Sequence, residues 1–321
     1  MTERPPTKIL YISGYGRSGS TLLDIALGQH PRLFGAGEVA AFTRSSWSDN
    51  DYCACGAPLQ SCPFWSEVVA AWSEGRGGSA LDVYRADHRQ VESIVAPRRL
   101  AGRLKPGWWN QRVVEPTAAL FRTISERSGR PVVIDSSKLP GRGLALIRNP
   151  GVEVYAVHLV RDPRAVVWSM SKPIKRQVEA GVQRELKPKP ALYTALRWMI
   201  VNLAAERLLL RAGRGQSVRV RYEDLVAHPG ETIDRVLALV GETGGGLPDG
   251  IHQPVRPGHQ SAGSRHRMQK ELKVRIDEGW RAEMPIAKQW LVALLCAPLL
   301  RRYGYPWRAR EQAPLREALA S

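Results

Sequence analysis

The feature that most constrains the fold of this chain is the segment Gly14-Tyr15-Gly16-Arg17-Ser18-Gly19-Ser20-Thr21. A short apolar run at residues 8–12 precedes it and is typical of a buried parallel strand. Residues 21–27 follow it, and their apolar side chains recur at helical spacing. A strand, a glycine-rich turn and a helix in this order form the context in which backbone N–H groups and a helix N-terminus bind phosphate. The alternative is an ordinary turn, because glycine and serine are common there as well.

The segment departs from the nucleotide-binding pattern G-x-x-x-x-G-K-[ST] at one position. Gly14 and Gly19 have the required spacing and Thr21 supplies the hydroxyl, but Ser20 stands in place of the lysine. That lysine reaches the β- and γ-phosphates of a triphosphate, next to a Mg²⁺ ion. The nearest cation here is Arg17, whose planar guanidinium can bind a phosphate through two hydrogen bonds. We therefore expect a 5′-phosphate that carries a sulfuryl group rather than a metal-bound triphosphate.

Composition predicts anionic ligands. The 321 residues include 47 basic and 30 acidic side chains, which gives a formal net charge of +17. Such a chain attracts nucleotides, sulfated or phosphorylated ligands, nucleic acid or anionic lipid, although solvated basic faces account for much of the excess. No apolar region of a signal peptide is present at the start, and the longest apolar run, 290–300, is too short to span a bilayer. The sequence thus predicts a cytoplasmic protein without a membrane span.

Strand and helix patterns alternate along the chain. Strands are expected at 8–12, 131–135, 153–160 and 217–222, with a short one between 29 and 39, and helices at 115–128, 191–212, 232–240 and 286–302. This alternation predicts an α/β fold, a P-loop-like parallel sheet flanked by helices on both faces, as one domain over residues 1–321. Variable loops near 44–64, 75–112 and 172–190 are expected to shape an acceptor pocket, the last as a mobile basic lid.

Chemically active residues follow the predicted strands. In parallel sheets, ligands bind beyond the carboxyl ends of the strands. The residues at those positions are cationic, hydroxylic or aromatic: Arg17 to Thr21, Lys138, Arg161 and Tyr222. Their convergence predicts one anion-binding edge.

Three of the four cysteines lie close together, as Cys53, Cys55 and Cys62. A zinc site needs four ligands, and this set has three. The spacing therefore favours a structural cluster or an adventitious disulfide over a metal site.

In these motifs the sequence resembles the sulfotransferases that use 3′-phosphoadenosine 5′-phosphosulfate (PAPS). Their 5′-phosphosulfate loop, R-S-G-[ST]-T-L, matches residues 17–22, and their 3′-phosphate signature, R-D-P-R-A followed by a serine, matches 161–165 with Ser169. The patterns H-P…G-E and Y-E-D-L match His30-Pro31 with Gly37-Glu38, and 222–225. A late basic segment matches 265–270, with its usual R-K-G degraded. The resemblance runs from about residue 8 to 282 and is to bacterial small-molecule sulfotransferases and the tyrosylprotein branch.

The resemblance implies the sulfotransferase fold, PAPS as donor, the product PAP and no metal. Two anion sites are needed, and Ser169 can face the same way as Arg161 because eight residues make close to two helical turns. The cofactor-binding residues implied are Gly16, Arg17, Ser18, Gly19, Ser20, Thr21, Arg161, Ser169, Tyr222, Arg265 and Arg267.

The resemblance also implies in-line transfer to a hydroxyl of a small-molecule acceptor. Glu38 is expected to be the general base, Lys138 to contact the bridging oxygen, and Arg17 to lie beside it. A histidine base is the alternative: His259 and His266 remain candidates, whereas His158 lies within a strand, where a core position is more common.

Several of these residues also have purely structural interpretations. Glu38 could cap the start of a helix or interact with its dipole. Asp162 could cap a helix while pairing with Arg161, and Tyr222 could be a buried strand residue. Arg265 and Arg267 could be surface arginines. Trp108 and Trp109 could line an aromatic pocket, although core packing is favoured.

Two other functions compete with this one. A P-loop kinase would need the lysine that Ser20 replaces and a strand-end aspartate, for which Asp135 is the one candidate. A nucleic-acid-binding protein would spread its phosphate contacts along one face with interleaved aromatics, whereas the candidates here follow strands, so no nucleic acid is expected. The acceptor stays open among a natural product, a sugar, a nucleoside and a lipid-linked intermediate.

Overall fold

The computed structural model describes residues 5–77, 80–88, 110–179, 181–244, 258–269 and 277–308. Five strands form one sheet in which all pairs are parallel. They are β1 (Thr7–Ser13), β2 (Leu33–Gly35), β3 (Val132–Lys138), β4 (Val152–Val160) and β5 (Ser217–Arg221). Their order across the sheet is β2-β3-β1-β4-β5, so the predicted phosphate loop follows the central strand.

Helices connect the strands and cover both faces of the sheet, which confirms the predicted fold class. In the described residues they are α1 (Ser20–Leu27), α2 (Val39–Ala41), α3 (Pro63–Ser73), α4 (Ala80–His88), α5 (Glu115–Ser128), α6 (Pro140–Ile147), α7 (Pro163–Met170), α8 (Ala191–Ala212), α9 (Tyr222–Ala227), α10 (Pro229–Leu239), α11 (Gly279–Glu283), α12 (Ile286–Leu295) and α13 (Ala297–Arg302). None of these helices is long and apolar enough to cross a bilayer.

The central strand contributes to a core on each face of the sheet. Successive side chains of a strand point to opposite faces, so Ile9 packs with Trp65 and Phe121 from α3 and α5. Leu10 packs on the other face, against Leu23 of α1. Burial on both sides explains why the strand is a continuous apolar run without alternation.

Element boundaries follow the sequence closely where periodicity is strong. Helices α5 and α8 have the predicted bounds. Strand β3 extends to Lys138, three residues beyond its predicted end, and the short helices α6 and α9 were not predicted. The expected C-terminal helix is two helices divided at Cys296, because Pro298 in the first turn of α13 has no N–H to continue a helix.

The three predicted loops are described to different extents. The first contains a π-helical turn (Phe42–Ser46), a 3₁₀ turn (Leu59–Ser61) and the start of α3. In the second predicted loop, 75–112, the structure describes residues 75–77, 80–88 and 110–112. Trp108 and Trp109 therefore lie outside the described residues. The third forms two antiparallel bridges, Ile174 with Leu186 and Gln177 with Val182.

Candidate active site

The loop after β1 has the backbone that its glycines predict. Gly14 has a φ of 150°, and a Cβ there would lie 2.2 Å from the carbonyl oxygen of Leu159. Gly19 has a φ of 92°, and a Cβ there would lie 2.5 Å from the ring of Tyr222. Helix α1 begins at the next residue, Ser20. Both glycines are therefore required for the loop to turn between β4 and Tyr222 and to present its amides at the helix N-terminus.

A hydroxyl in this loop is available to a ligand. The side chain of Ser18 is 2% exposed, and its Oγ has no hydrogen-bond partner within the described part of the chain. Buried polar atoms nearly always have partners. Thr21 is engaged, because its Oγ1 accepts a hydrogen bond from the Ser264 amide at 3.1 Å. The loop thus offers Ser18 and its amides to an anion, while Thr21 holds the segment around Ser264.

Cationic side chains surround the loop. The pKa of Arg17 is lowered, first by burial and then by the charges of Arg265 and Arg161, while Glu38 opposes the shift. Arg17 and Lys138 share a left-handed backbone conformation, each with a φ of 70°. The effect of these charges on Arg17 indicates a strongly positive site close to one carboxylate.

Glu38 and Lys138, the predicted base and the predicted bridging-oxygen cation, form an ion pair. Glu38 precedes α2 but makes no capping hydrogen bond, so its interpretation as a helix cap is wrong. The first amides of α2 donate instead to Asp135 (3.3 Å) and to the Ser137 hydroxyl (2.9 Å). The Glu38 side chain is 24% exposed, so its carboxylate can be reached from the edge of the sheet.

Arg161, at the end of β4, joins the phosphate loop to two other segments. Its guanidinium donates to the carbonyl oxygen of Arg17 at 3.1 Å and to both the carbonyl and Oδ2 of Asp277 at 3.0 Å. It also lies 4.4 Å above the ring of Tyr222. Tyr222 is the first residue of α9 rather than the last of β5, and burial raises its pKa, so the hydroxyl stays neutral.

The two arginines of the R-D-P-R segment have different surroundings. Asp162 caps α7 by accepting from the Arg164 amide at 2.8 Å, which confirms its interpretation as a helix cap, but its ion-pair partner is Arg164 and not Arg161. Arg164 is fully buried and also donates to the carbonyl oxygens of Pro306 and Trp307. Ser169 is half-buried two turns into α7. Arg161 therefore contacts the phosphate loop, whereas Arg164 anchors the C-terminal segment.

Arg265 and Arg267 also differ. Arg265 is exposed. Arg267 is 2% exposed, and its guanidinium donates to the carbonyl oxygens of Tyr52, Gly181, Gly263 and Ser264. The interpretation of Arg267 as a surface arginine is wrong. It links the first loop, the basic lid and the late basic segment, and its predicted contact with the cofactor stays a prediction.

Known proteins match this chain in sequence. A profile described as "Sulfotransferase family" matches residues 153–243. Nodulation protein NoeE of Sinorhizobium fredii is 35% identical over 320 residues, which cover 94% of this chain and 67% of NoeE. The chain belongs to the sulfotransferase family of enzymes.

Other matches agree with this family. Human carbohydrate sulfotransferase 3 is 27% identical over 180 residues, covering 53% of this chain and 37% of that protein, so the chain spans little more than a third of this relative. The solved sulfotransferase domain of the Synechococcus PCC 7002 olefin synthase aligns with a TM-score of 0.52 and 20% identity, over 95% of this chain and 98% of that domain. This second similarity supports the sulfotransferase fold.

Asp24 was missed by sequence reasoning. Its carboxylate is completely buried in α1 and accepts from the Gly37 amide (3.1 Å) and from Nε2 of Gln260 (3.2 Å). Burial raises its pKa to about 7, against the hydrogen bonds from Ser136, Gln260 and Gly37. In this sulfotransferase-family chain, Asp24 joins the phosphate-loop helix to the segment that carries Glu38.

The structure also places the residues on which the alternative hypotheses depend, a kinase aspartate and a histidine base. Asp135 is buried against Arg142 at 3.0 Å and accepts from two backbone amides, so its carboxylate oxygens are engaged by structural partners. Burial lowers the pKa of His158 to about 4, and its Nε2 pairs with Asn202 at 2.8 Å, which confirms the core position. His266 is exposed next to Gln269.

The cysteine cluster gains a fourth member. Cys53, Cys55 and Cys62 are free thiols, and His259 joins them so that the three sulfurs and a ring nitrogen lie within 4.8 Å of one another. The sequence-based count of three ligands was therefore incomplete. Nδ1 of His259 lies next to the sulfurs of Cys53 and Cys62, and its role as an alternative base stays a prediction.

Proposed function

We propose that this chain transfers the sulfuryl group of PAPS to a hydroxyl of a small-molecule acceptor. The observation that carries the proposal is a group of cations at the edge of the sheet where β1, β3 and β4 end. The charges of Arg265, Glu38 and Arg161 act on Arg17, and Glu38 pairs with Lys138. PAPS has a 5′-phosphosulfate and a separate 3′-phosphate, and this group of cations is proposed to bind both.

The residues present fit this donor. The unpartnered hydroxyl of Ser18 and the amides of residues 16–21 suit the oxygens of the 5′-phosphosulfate. Arg161, Ser169 and Arg265 would hold the 3′-phosphate through charge-assisted hydrogen bonds. The ring of Tyr222 packs against both Gly19 and Arg161, so it would lie between the two phosphate groups, beside the adenosine.

The chemistry needs a base and a cation, and Glu38 and Lys138 are proposed for these roles. Glu38 would take the proton of the acceptor hydroxyl as the new S–O bond forms. The S–O bond to the bridging oxygen would break, and Lys138 with Arg17 would stabilise the charge that develops on the departing phosphate. The contact between Glu38 and Lys138 supports these roles, because it shows that the proposed base and the proposed cation lie at the same edge of the sheet.

The acceptor is proposed at the level of chemical class. The names of several relatives specify carbohydrates, which favours a sugar hydroxyl over the nucleoside, lipid-linked and other natural-product alternatives. The described parts of the first loop and of the lid meet through an ion pair between Asp49 and Arg184. These two loops are therefore proposed to form one wall of the acceptor pocket.

Calorimetry with PAP and with ATP, each with and without Mg²⁺, tests the donor. We expect metal-independent PAP binding in the micromolar range or tighter, and weakening of about tenfold to a hundredfold in Arg265→Ala and more in Arg161→Ala. Because Arg265 is exposed, the Arg265→Ala change should leave folding intact, and a change in PAP affinity can be assigned to the lost side chain. If ATP binds in the presence of Mg²⁺ and PAP does not bind, the proposal is wrong and the kinase hypothesis is favoured.

Acceptor turnover tests the base separately. With PAPS and a panel of sugar and phenol acceptors, Glu38→Gln should bind PAP as the wild type does and lose about a hundredfold or more in kcat. Wild-type activity in a Glu38→Gln variant would show that Glu38 is not the general base, and the exposed His266 would become the candidate.

A further inference from the structure

Four metal-ligand side chains converge at one point outside the proposed active site. Cys53, Cys55 and Cys62 come from the first loop, and His259 comes from a segment 197 residues after Cys62. The sulfur of Cys62 lies 3.4 Å from Nδ1 of His259, and the sulfur of Cys53 lies 3.7 Å from the same nitrogen. The sulfurs of Cys55 and Cys62 are 3.6 Å apart.

Three of the six ligand separations match the edges of a metal tetrahedron, and all six are within 4.8 Å. With Zn–S bonds near 2.3 Å and Zn–N bonds near 2.0 Å, tetrahedral ligands lie about 3.8 Å apart for two sulfurs and about 3.5 Å apart for sulfur and nitrogen. The three separations lie within about 0.2 Å of these values. Three thiols and one imidazole are a ligand set typical of structural zinc, with no position left for a substrate.

The backbone holds the cysteines from two local turns. Cys53 donates its amide to Ala57 at 2.8 Å and accepts from the Gly56 amide at 3.0 Å, which folds the C-x-C-G segment into a tight turn. Cys62 directly precedes α3 and accepts from the Ser66 amide at 3.0 Å. Each turn therefore fixes its sulfur ligands independently of the rest of the loop.

The histidine is oriented by residues next to Cys62. The indole of Trp65 donates to the carbonyl oxygen of His259 at 2.6 Å, and the ring of Phe64 stacks on the imidazole with centroids 5.4 Å apart. Such supporting contacts fix ring orientation at metal sites. The turn that supplies Cys62 therefore also aims Nδ1 of His259 at the sulfurs.

From this geometry we propose that Cys53, Cys55, Cys62 and His259 bind one structural Zn²⁺ ion. The ion joins the first loop to the segment that begins at His259. Thiolates and imidazole prefer zinc over the oxygen-seeking Mg²⁺ and Ca²⁺.

The site would position residues of the proposed active site. Two residues after His259, Ser261 donates both its amide and its hydroxyl to the carbonyl oxygen of Ala36. The carbonyl oxygen of Ala262 then accepts from the amide of Glu38 at 3.2 Å. Zinc at the cluster therefore fixes the strand-like segment against which Glu38 is held, and its loss should loosen the base without removing a group that touches substrate.

Metal content tests the proposal directly. The full chain is purified under reducing conditions without chelators, and zinc is measured by elemental analysis. We expect one zinc per chain, and on exchange with Co²⁺ an absorption spectrum with intense tetrahedral d–d bands and sulfur-to-cobalt charge-transfer bands. A reduced wild-type protein that takes up neither Zn²⁺ nor Co²⁺ would overturn the proposal. This measurement needs no variant.

Variants identify the ligands. Cys62→Ala and His259→Ala should lose the zinc, while the matched controls Cys296→Ala and His266→Ala should keep it, because neither control residue belongs to the cluster. Zinc retained in both ligand variants would contradict the site. If a ligand variant does not fold, the cobalt spectrum of the wild type still reports thiolate ligation.

Thiol titration separates zinc from a disulfide. In protein denatured with a chelator but without a reductant, four thiols per chain are expected, because all four cysteines are free. Two thiols in the wild type, with no zinc, would show a disulfide in place of the metal site. Zinc removal should also lower Tm and leave PAP affinity within about threefold, since metal and folding are coupled at structural sites.

Discussion

The phosphate loop and the cysteine–histidine cluster show two ways in which a chain assembles a site. The loop is built from eight consecutive residues, and its chemistry resides mainly in backbone amides whose direction the glycines set. The cluster is built from side chains of two segments that are far apart in sequence and meet only when the chain folds. A site made of local backbone can be identified from a motif, whereas a site made of distant side chains needs the tertiary structure.

A single segment contacts both regions. Gln260 donates to Asp24 in α1, and the Ser264 amide donates to Thr21, while His259 belongs to the cluster. Two kinds of residue should therefore behave differently. Changes to side chains proposed to contact the donor, or lying next to such side chains, should alter turnover or PAP affinity, whereas changes to the buried residues that join the segments, Asp24 and Arg267, should alter stability. Four experiments test this division.

The largest effect is expected for Lys138→Ala. Loss of the cation proposed to stabilise the departing phosphate should reduce kcat by about a thousandfold with Tm nearly unchanged. Lys8→Ala is the matched control, because Lys8 is the second residue of β1, at the opposite end of the strand from the phosphate loop. Steady-state rates and thermal melts of both variants check this, and a large drop in Tm without a loss in kcat would contradict the division.

Asp24 predicts a pH dependence of stability. Its pKa rises from 3.8 in the unfolded chain to about 7 in the fold, so the folded state holds the extra proton between these values. The contribution of Asp24 to the free energy of unfolding should be largest below about pH 4, and about 4 kcal/mol of it should be lost as the pH rises from about 4 to about 7. In Asp24→Asn this slope should flatten in urea titrations made at several pH values. An unchanged slope would show that Asp24 has an ordinary pKa.

Arg267→Met should destabilise the fold by about 2 kcal/mol, because it leaves buried carbonyl oxygens without a donor. Its neighbour supplies the control: Arg265→Met should keep the wild-type Tm and lose PAP affinity, since Arg265 is exposed. Denaturation curves together with PAP calorimetry separate the two effects. If Arg267→Met unfolds like the wild type, the guanidinium does not anchor these loops.

The smallest effect is expected for Asp277→Asn. The Asp277 carboxylate lies 3.0 Å from the guanidinium of Arg161, where the 3′-phosphate is proposed to bind. It is 55% exposed, so solvent screens its charge. Its removal should tighten PAP binding by about threefold, measured as the Kd at low salt. Weaker binding in this variant would mean that Asp277 orients Arg161 for the ligand.

Much of the fold followed from local patterns. The strands after which Arg17 and Arg161 lie, and the bounds of α5 and α8, were predictable because apolar periodicity records burial directly. The short helix α6 was missed because its eight residues include two glycines and a proline, and its burial against β4 and α8 comes from tertiary contacts.

The site residues that belong to sequence motifs could be predicted, whereas the surroundings of the residues outside those motifs could not. Arg265 and Arg267 are two arginines in one basic segment, and the sequence does not distinguish them. Arg267 is buried because the lid and the first loop bring the carbonyl oxygens of Gly181 and Tyr52 to its guanidinium. His259 carried no signal as a ligand, because its three partners precede it by about two hundred residues. Asp24 resembled any polar residue of an amphipathic helix, and its buried partners lie on other elements.

The left-handed backbone at Arg17 and Lys138 has a thermodynamic consequence. Side chains other than glycine pay on the order of 1 kcal/mol for that conformation, and both residues are cations proposed to act on the transferred group. At these two positions the proposed reactivity lowers the folding free energy. Replacement by glycine should then ease the backbone while abolishing turnover, so a scan of the described residues for stabilising glycine substitutions should find both proposed catalytic cations, together with Asn50, without the use of substrate.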